Sequence, residues 1–266
     1  MQMVRVAHGQ WVPGAGYRKY ESGESDRALD FAFALGVRPI ANLEVAGSIG
    51  YGSETVRLTD YYGRRGSVSD ATLRARYEIV QEPSLTYPDR TAWPAIGISV
   101  GARLPTGSVD RVQANGPSTG TVGSTATSQG LGTTELSAAV DVRKTWGKLQ
   151  LAGIGEAAYR FADESLGRPR QLGPRLLARA LVLGFVSEEI TVGGFVDIGW
   201  EGPIGYDGKT VSDTHSRISS VGASGSLKLE GGFRSGLSVT YNPPLSFLGE
   251  NATGTAGLLV FVGYAR

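Results

Sequence analysis

The side chains that could carry chemistry are few and scattered. Cysteine is absent, and two histidines, His8 and His215, stand among 266 residues. Without cysteine there can be no thiol nucleophile, Cys-based zinc site or disulfide framework. His215 lies in Asp213-Thr214-His215-Ser216, which holds the residue types of a Ser/His/Asp triad. Adjacent side chains on an extended segment point to opposite faces, so this His and Ser cannot act as base and nucleophile without a bend. Gly208-Lys209-Thr210 matches the end of a phosphate-binding loop, but position 203 is Pro rather than Gly and no helical pattern follows. Glu188-Glu189 reads as a tight turn. No His/Asp/Glu grouping has metal-ligand spacing. The expectation is a non-enzyme with no catalytic residues, no metal and no cofactor. The formal net charge of +1 offers no basic field for nucleic acid.

The charges that remain are placed at regular intervals inside alternating segments. In Trp93 to Pro105, Ile96, Ile98, Val100, Ala102 and Leu104 alternate with Gly97, Ser99, Gly101 and Arg103. Successive strand side chains point to opposite faces, so one face is apolar and the other small, polar or charged. Leu29, Phe31, Phe33 and Leu35 alternate with Asp30, Ala32, Ala34 and Gly36 in the same way, and Leu136, Ala138, Val140 and Val142 with Ser137, Asp141 and Arg143. Collected on the polar face are Asp30, Glu44, Arg74, Arg76, Glu78, Arg103, Glu135, Asp141, Arg143, Glu156, Arg160, Arg175, Arg179, Asp197, Glu201, Lys228 and Arg234. Two chemistries suit such a face: a charged constriction that selects ions, or a lumen knitted shut by ion pairs. Arg74, Arg76 and Arg103 come from adjacent strands and form the best local positive cluster, where an anionic group would be held. Glu78, Arg143, Asp141, Glu156, Arg160, Arg179 and Asp197 complete the set of constriction candidates.

Twelve segments carry this pattern, at 3–20, 27–38, 42–58, 69–81, 93–105, 133–146, 148–161, 175–187, 189–201, 217–230, 232–243 and 254–265. Gly is 39 of 266 residues, about twice its usual share, and helical periodicity is almost absent. The first segment is disturbed by Pro13 and Gly14-Ala15-Gly16. The connections alternate in length: Gly147, Glu188-Glu189 and Gly231-Gly232 mark very tight turns, with Pro39-Ile40-Ala41 nearly as short. Between them fall the longer stretches 59–68, 106–132, 162–174, 202–216 and 244–253. The stretch 82–92 breaks the rule, being long on the short-turn side. Sorting loops by length onto two rims is a habit of membrane-spanning barrels, and a soluble sandwich has no reason for it. Tyr51, Tyr77, Trp93, Trp146, Tyr159, Phe161, Trp200, Tyr241 and Tyr264 fall towards segment ends, as interfacial girdles do. The predicted fold is all-β, a single antiparallel up-and-down transmembrane β-barrel of about 12 strands over 1–266, with no plug or soluble domain.

One region carries a family resemblance. Asn42-Leu43-Glu44-Val45 is followed by Ser69-Asp70-Ala71-Thr72-Leu73-Arg74-Ala75-Arg76-Tyr77, then by Pro94-Ala95-Ile96-Gly97 leading to Ala102-Arg103-Leu104-Pro105-Thr106-Gly107. The pattern resembles the outer-membrane proteins grouped as the MetA-pathway-of-phenol-degradation family, with Ser69 where a Gly is usual. The resemblance implies a transporter-like Gram-negative outer-membrane barrel passing small hydrophobic or aromatic solutes, and it supplies no catalytic residues. Tyr264 stands two residues before the end, earlier than the terminal aromatic that barrel assembly machinery reads.

These observations set three expectations for function. The first is a passive channel for small solutes in the outer membrane, in contact with lipid and lipopolysaccharide, with an export signal already removed. The second is a sealed anchoring barrel serving protein partners in an envelope complex. The third is a soluble barrel binding a ligand in an apolar interior. The Gly/Ser/Thr-rich loop 106–132 reads as a surface loop, with a constriction loop folded into the lumen as its alternative.

Overall fold

In a computed structural model, residues 1–12, 15–58, 61–82, 93–107, 131–165 and 167–264 are described. Twelve antiparallel strands close on themselves: β1 (Gln2–Val12), β2 (Ser25–Ile40), β3 (Leu43–Leu58), β4 (Ala71–Val80), β5 (Ala95–Leu104), β6 (Glu135–Trp146), β7 (Leu149–Arg160), β8 (Arg175–Phe185), β9 (Ile190–Glu201), β10 (Ser216–Lys228), β11 (Phe233–Tyr241) and β12 (Ala252–Tyr264). Each pairs with its neighbours in sequence, and β1 seals against β12 from Gln2↔Val260 to Trp11↔Ala252. Each of the twelve expected segments overlaps one of these strands, with ends that differ by a few residues. No helix among the described residues is long and apolar enough to cross a membrane, so any crossing is made by strands.

The pleat puts the apolar residues outside. Phe33, Leu35, Val100, Val140 and Val262 are among the side chains most open to the surroundings, while their sequence neighbours Ala32, Ser99, Asp141 and Phe261 lie on the inner wall. A soluble barrel is built the other way round, with its grease inside. Water cannot stabilise this exterior, whereas a hydrocarbon layer can, and a closed ladder leaves it no unpaired strand edge to solvate. The expectation of a soluble barrel that binds a ligand in an apolar interior does not fit this apolar exterior. Exposed aromatics ring both ends. Tyr77, Trp93, Trp146, Phe233 and Tyr264 lie near the short-turn rim, and Tyr51, Tyr159, Phe161 and Tyr241 towards the other.

The short turns fall where glycine or a bend permits them. Gly147 (φ 54°) and the pair Gly231 (φ 70°) and Gly232 (φ 86°) adopt the left-handed backbone that tight hairpins need. One turn differs from the reading at Pro39-Ile40-Ala41. The strand runs through to Ile40 and turns at 41–42, and the register slips between Val37 and Ile40. Pro39 has no N–H to give the ladder, which accounts for the slip. The first segment also departs from a single strand. β1 ends at Val12 after a bulge between Ala7 and Gly9, and residues 16–19 fold back onto Gly9–Val12.

The long-loop rim carries more structure than alternation alone suggests. Tyr61–Val68 pairs with the upper half of β3, extending that hairpin past the point where β4 takes over as partner. Residues 163–165, 168–171, 205–206 and 209–210 form a separate four-stranded sheet across two loops. Most of the loop 106–132, including the run whose inward or outward course was at issue, lies outside the described residues.

Because Val140 sits midway along β6 and faces outward, Val140→Arg tests which side meets lipid. In vesicles the substitution should cost about 2–4 kcal/mol, the range for a charge on the lipid face at the bilayer midplane. Denaturant unfolding of the refolded variant measures it; a loss under about 0.5 kcal/mol would place Val140 away from hydrocarbon.

Candidate functional site: the lumen wall

The inner wall is organised as two ion-pair networks at different heights. In the half near the short turns, Arg76 reaches from β4 across β5 to β6. Its Nε donates to Asp141 Oδ2 at 2.9 Å and its Nη2 to Asp141 Oδ1 at 2.5 Å. The same guanidinium donates through Nη1 to Glu78 Oε2 at 3.2 Å, and Arg143 Nη2 donates to Glu78 Oε1 at 2.7 Å. A planar guanidinium holding a carboxylate through two parallel bonds is the strongest form of this contact. The reach is possible because the intervening β5 residue is Gly97. A Cβ there would come within 2.6 Å of Arg76 Nη2 and would also strike Asp141. Any larger residue at 97 would part the pair.

The second network lies towards the long loops and is more deeply buried. Arg160 and Glu135 are each only 3% exposed. Arg160 Nε donates to Glu135 Oε2 at 2.9 Å, its Nη2 to Glu201 Oε1 at 2.8 Å, and its Nη1 to the Gly173 carbonyl at 3.4 Å. Arg175 Nη2 donates to Glu135 Oε1 at 2.9 Å and to Glu156 Oε1 at 2.6 Å. The loops above are stitched to it: Gln171 Nε2 donates to the Arg160 carbonyl, and Arg170 pairs with Asp163 while donating to the Leu131 carbonyl. Asp70 holds both ends of the long loop, accepting from the Gly107 N–H at 3.0 Å and the Leu131 N–H at 2.8 Å. Between the networks, Arg179 is held by Asp197 through bonds of 2.6 and 2.8 Å.

The structure brings most of the sequence-derived candidates together, but not as an isolated positive cluster. Arg74, Arg76 and Arg103 do face the lumen from β4 and β5. Arg76 is spent on Asp141 and Glu78, Arg74 donates to Ser99 Oγ at 2.8 Å, and Arg103 stands across the β5–β6 ladder from Glu135. Glu156, Arg160, Arg179 and Asp197 are each in an ion pair. The constriction candidates thus form a wall of alternating sign. Near the triad residue types, His215 Nε2 lies 3.1 Å from Glu250 Oε1, and Asn251 Nδ2 donates to the Asp213 and His215 carbonyls at 2.6 and 2.8 Å.

An apolar sector opposite the first network was not singled out. Met3, Leu181, Leu183, Phe185, Phe195, Leu259 and Phe261 share the inward phase of β1, β8, β9 and β12, all in the half near the short turns. Glycines on neighbouring strands let the large ones lie flat. Phe195 covers Gly222, Phe261 Cζ lies 2.5 Å from where a Cβ of Gly236 would be, and Leu183 Cδ2 lies 2.5 Å from that of Gly193. The signal was present in Leu181-Val182-Leu183 and Leu258-Leu259-Val260-Phe261-Val262, where apolar residues run on without alternating. Such a run means a strand that is apolar on both faces.

Fold and wall together define a transmembrane β-barrel with a polar–apolar lumen. The chain is similar to the COG4313 outer membrane channel from Pseudomonas putida F1, with a TM-score of 0.69 and 14% identity over 98% of this chain and 95% of that one. It is also similar to the translocator domain of the autotransporter NalP from Neisseria meningitidis, with a TM-score of 0.51 and 14% identity over 100% and 86%. At these identities the likeness is one of fold. No protein-family model matches the chain, and no curated protein matches it in sequence.

The two kinds of ion pair should respond differently to truncation. Arg160→Met leaves Glu135 and Glu201 without their shared partner and should lower stability by about 3–5 kcal/mol. Arg38→Ala at the exposed Arg38–Glu44 pair, with side chains 67% and 42% exposed, should change it by about 0–1 kcal/mol. Equal losses in denaturant titrations would contradict this ranking.

Proposed function

We propose that the protein is an outer-membrane channel that passes small solutes of hydrophobic or aromatic character. The observation that carries this reading is the apolar lumen sector of Leu181, Leu183, Phe185, Phe195, Leu259 and Phe261 facing the Arg76–Asp141 network. A wall meant only for ions and sugars has no use for aromatic rings laid flat against glycine. A solute with an apolar body gains from that surface by losing contact with water, at about 25 cal/mol per Å² buried. The paired charges opposite give its polar end hydrogen-bond partners without a net field to trap it. The fold shared with the Pseudomonas channel and the resemblance to the phenol-degradation barrels support the same assignment.

A second reading has its own support. Arg76, Arg160, Arg175 and Arg179 are all in ion pairs, which also suits a lumen closed by its side chains, in a barrel that anchors partners in the envelope. Vesicle permeation separates the two. Phenol-sized aromatic probes should equilibrate into vesicles holding the refolded protein at least about tenfold faster than into empty ones, with hexose sugars lagging. Phe195→Asp, which puts a charge on the apolar wall, should slow the aromatic probes selectively. Folded, heat-modifiable barrel with no permeation and no current steps in a planar bilayer would give the anchoring reading precedence.

A further inference from the structure

The outer face of β2, β3 and the arm Tyr61–Val68 changes character at one height. On β2 the outward residues Val37, Leu35, Phe33, Phe31 and Leu29 are all apolar, and the next one towards the long-loop rim is Arg27. On β3 Val45, Ile49 and Tyr51 give way to Ser53, Thr55 and Arg57, and on the arm Val68 gives way to Arg64 beyond Gly66. Ladder pairing sets the three arginines on one face, because residues directly opposite share a face. Thr55 stands opposite Arg27 on one side and Arg64 on the other, and Arg57 follows two residues on, with Tyr62 across from it. All three arginines are exposed, as is Tyr62. At about 4.8 Å between strands and about 3.3 Å per residue, their Cα atoms lie within about 10 Å of one another. Guanidinium groups on side chains of that length can close on one anion.

No carboxylate on that face answers the charge. The outward residues of β1 to β4 and of the arm include neither Asp nor Glu. Among the described residues, none of Arg27, Arg57 and Arg64 is in an ion pair, in contrast to the arginines of the lumen networks. Asp26, Asp30 and Glu54 occupy the inward phase of the same strands, where Arg5 bonds to Asp30 and Arg65 stands across the ladder from Glu54. In the turn before β2, Glu24 is held by Arg18 at 3.4 Å, and Glu21 is matched in number by Lys19. Asp60 lies outside the described residues. Position narrows the ligand further. Long loops mark the outer side of such a barrel, so these arginines stand at the level of outer-leaflet headgroups. The apolar band directly below is continuous with them through Leu29, Phe31 and Val68. Tyr51 lies between the two zones, over Gly66, where a Cβ would strike its hydroxyl. A ligand with an anionic head and apolar chains matches that sequence of surfaces.

We propose that Arg27, Arg57 and Arg64 form a binding site on the barrel exterior for a phosphate group of an outer-leaflet glycolipid, whose acyl chains lie on Leu29, Phe31 and Val68. Guanidinium groups match phosphate oxygens in pairs, and a phosphate monoester offers three such oxygens and a charge of about −1.5 to −2. A phosphodiester headgroup carries one charge and answers three cations less well. The site rests on the outer-membrane placement in the reading above and is independent of conduction. Its test therefore reads stability rather than transport: loss of permeation would leave the site standing, and loss of the site would leave permeation untouched.

The test is thermal unfolding of the refolded protein in a non-ionic detergent, with bisphosphorylated lipid A, dephosphorylated lipid A, phosphatidylglycerol or inorganic phosphate added. Bisphosphorylated lipid A at saturation should raise the midpoint by about 2–4 °C over the dephosphorylated form, by mass action on the folded state. Phosphatidylglycerol should give less than half that rise. Inorganic phosphate, with no chains to hold it at the face, should give almost none. Arg27→Gln, Arg57→Gln and Arg64→Gln should each reduce the increment, and the triple variant should abolish it. Arg38→Gln, which removes an exposed cation at the opposite rim, should leave it unchanged. Each variant is checked for heat-modifiable mobility, and should the triple variant not fold, the single ones carry the comparison. No increment in the wild type, equal rises with both forms of lipid A, or an increment retained in the arginine variants would each overturn the site. An equal rise with phosphatidylglycerol would overturn the ligand class, and an equal rise with inorganic phosphate would overturn the lipid as its source.

Discussion

Every feature of this chain follows from the need to satisfy backbone hydrogen bonds where no water is present. An unpaired peptide group in hydrocarbon costs several kcal/mol, so strands can cross only if the sheet has no edge. The seal between β1 and β12 supplies that closure. Its consequences reach further than the ladder. Closure makes one face of every strand an exterior and the other an interior, so period-two alternation becomes a three-dimensional partition. It also frees the interior from having to bury an apolar core, which leaves room for charge.

That freedom explains the character of the lumen. Charges inside a narrow barrel are poorly solvated, and an isolated one would be expensive. Here they come in complementary strings, Asp141–Arg76–Glu78–Arg143 in one half and Glu201–Arg160–Glu135–Arg175–Glu156 in the other. The strings cross strands, which ties the wall together laterally in addition to the backbone ladder. They also deny the lumen any broad patch of one sign. Where the strings stop, on β8, β9 and β12, the wall turns apolar, and glycines on adjacent strands keep the bulky rings flat.

The loops show the same economy at a second level. Asp70 and Arg170 pin the two ends of the long loop and the four-stranded loop sheet to the rim of the buried network. The rim therefore shares its stability with the lumen wall below. Among the described residues of the opposite rim, the turns at 41–42, Gly147 and Gly231-Gly232 bring their strands straight back, the last two through left-handed glycines.

Much of this was legible in the residues themselves. A period of two is local, so alternation located all twelve strands, and Gly147, Glu188-Glu189 and Gly231-Gly232 located three of the tight turns. Which face of each strand carries the charges was also local. Pairing was not. Arg74, Arg76 and Arg103 read as a positive cluster because they are close in register, yet Arg76 takes Asp141 and Arg103 faces Glu135 from β6, far along the chain, Arg74 bonds to Ser99, and the Arg76–Asp141 contact depends on Gly97 being small enough to reach across. The apolar sector escaped for a related reason: a run without alternation does not say which of its residues turn inward until its neighbours set the phase. The amino-acid sequence by itself determined strand, phase and exterior, because those depend on the few residues on either side. Only the closed barrel decided which charges neutralise one another, because that depends on register between strands the chain does not place side by side.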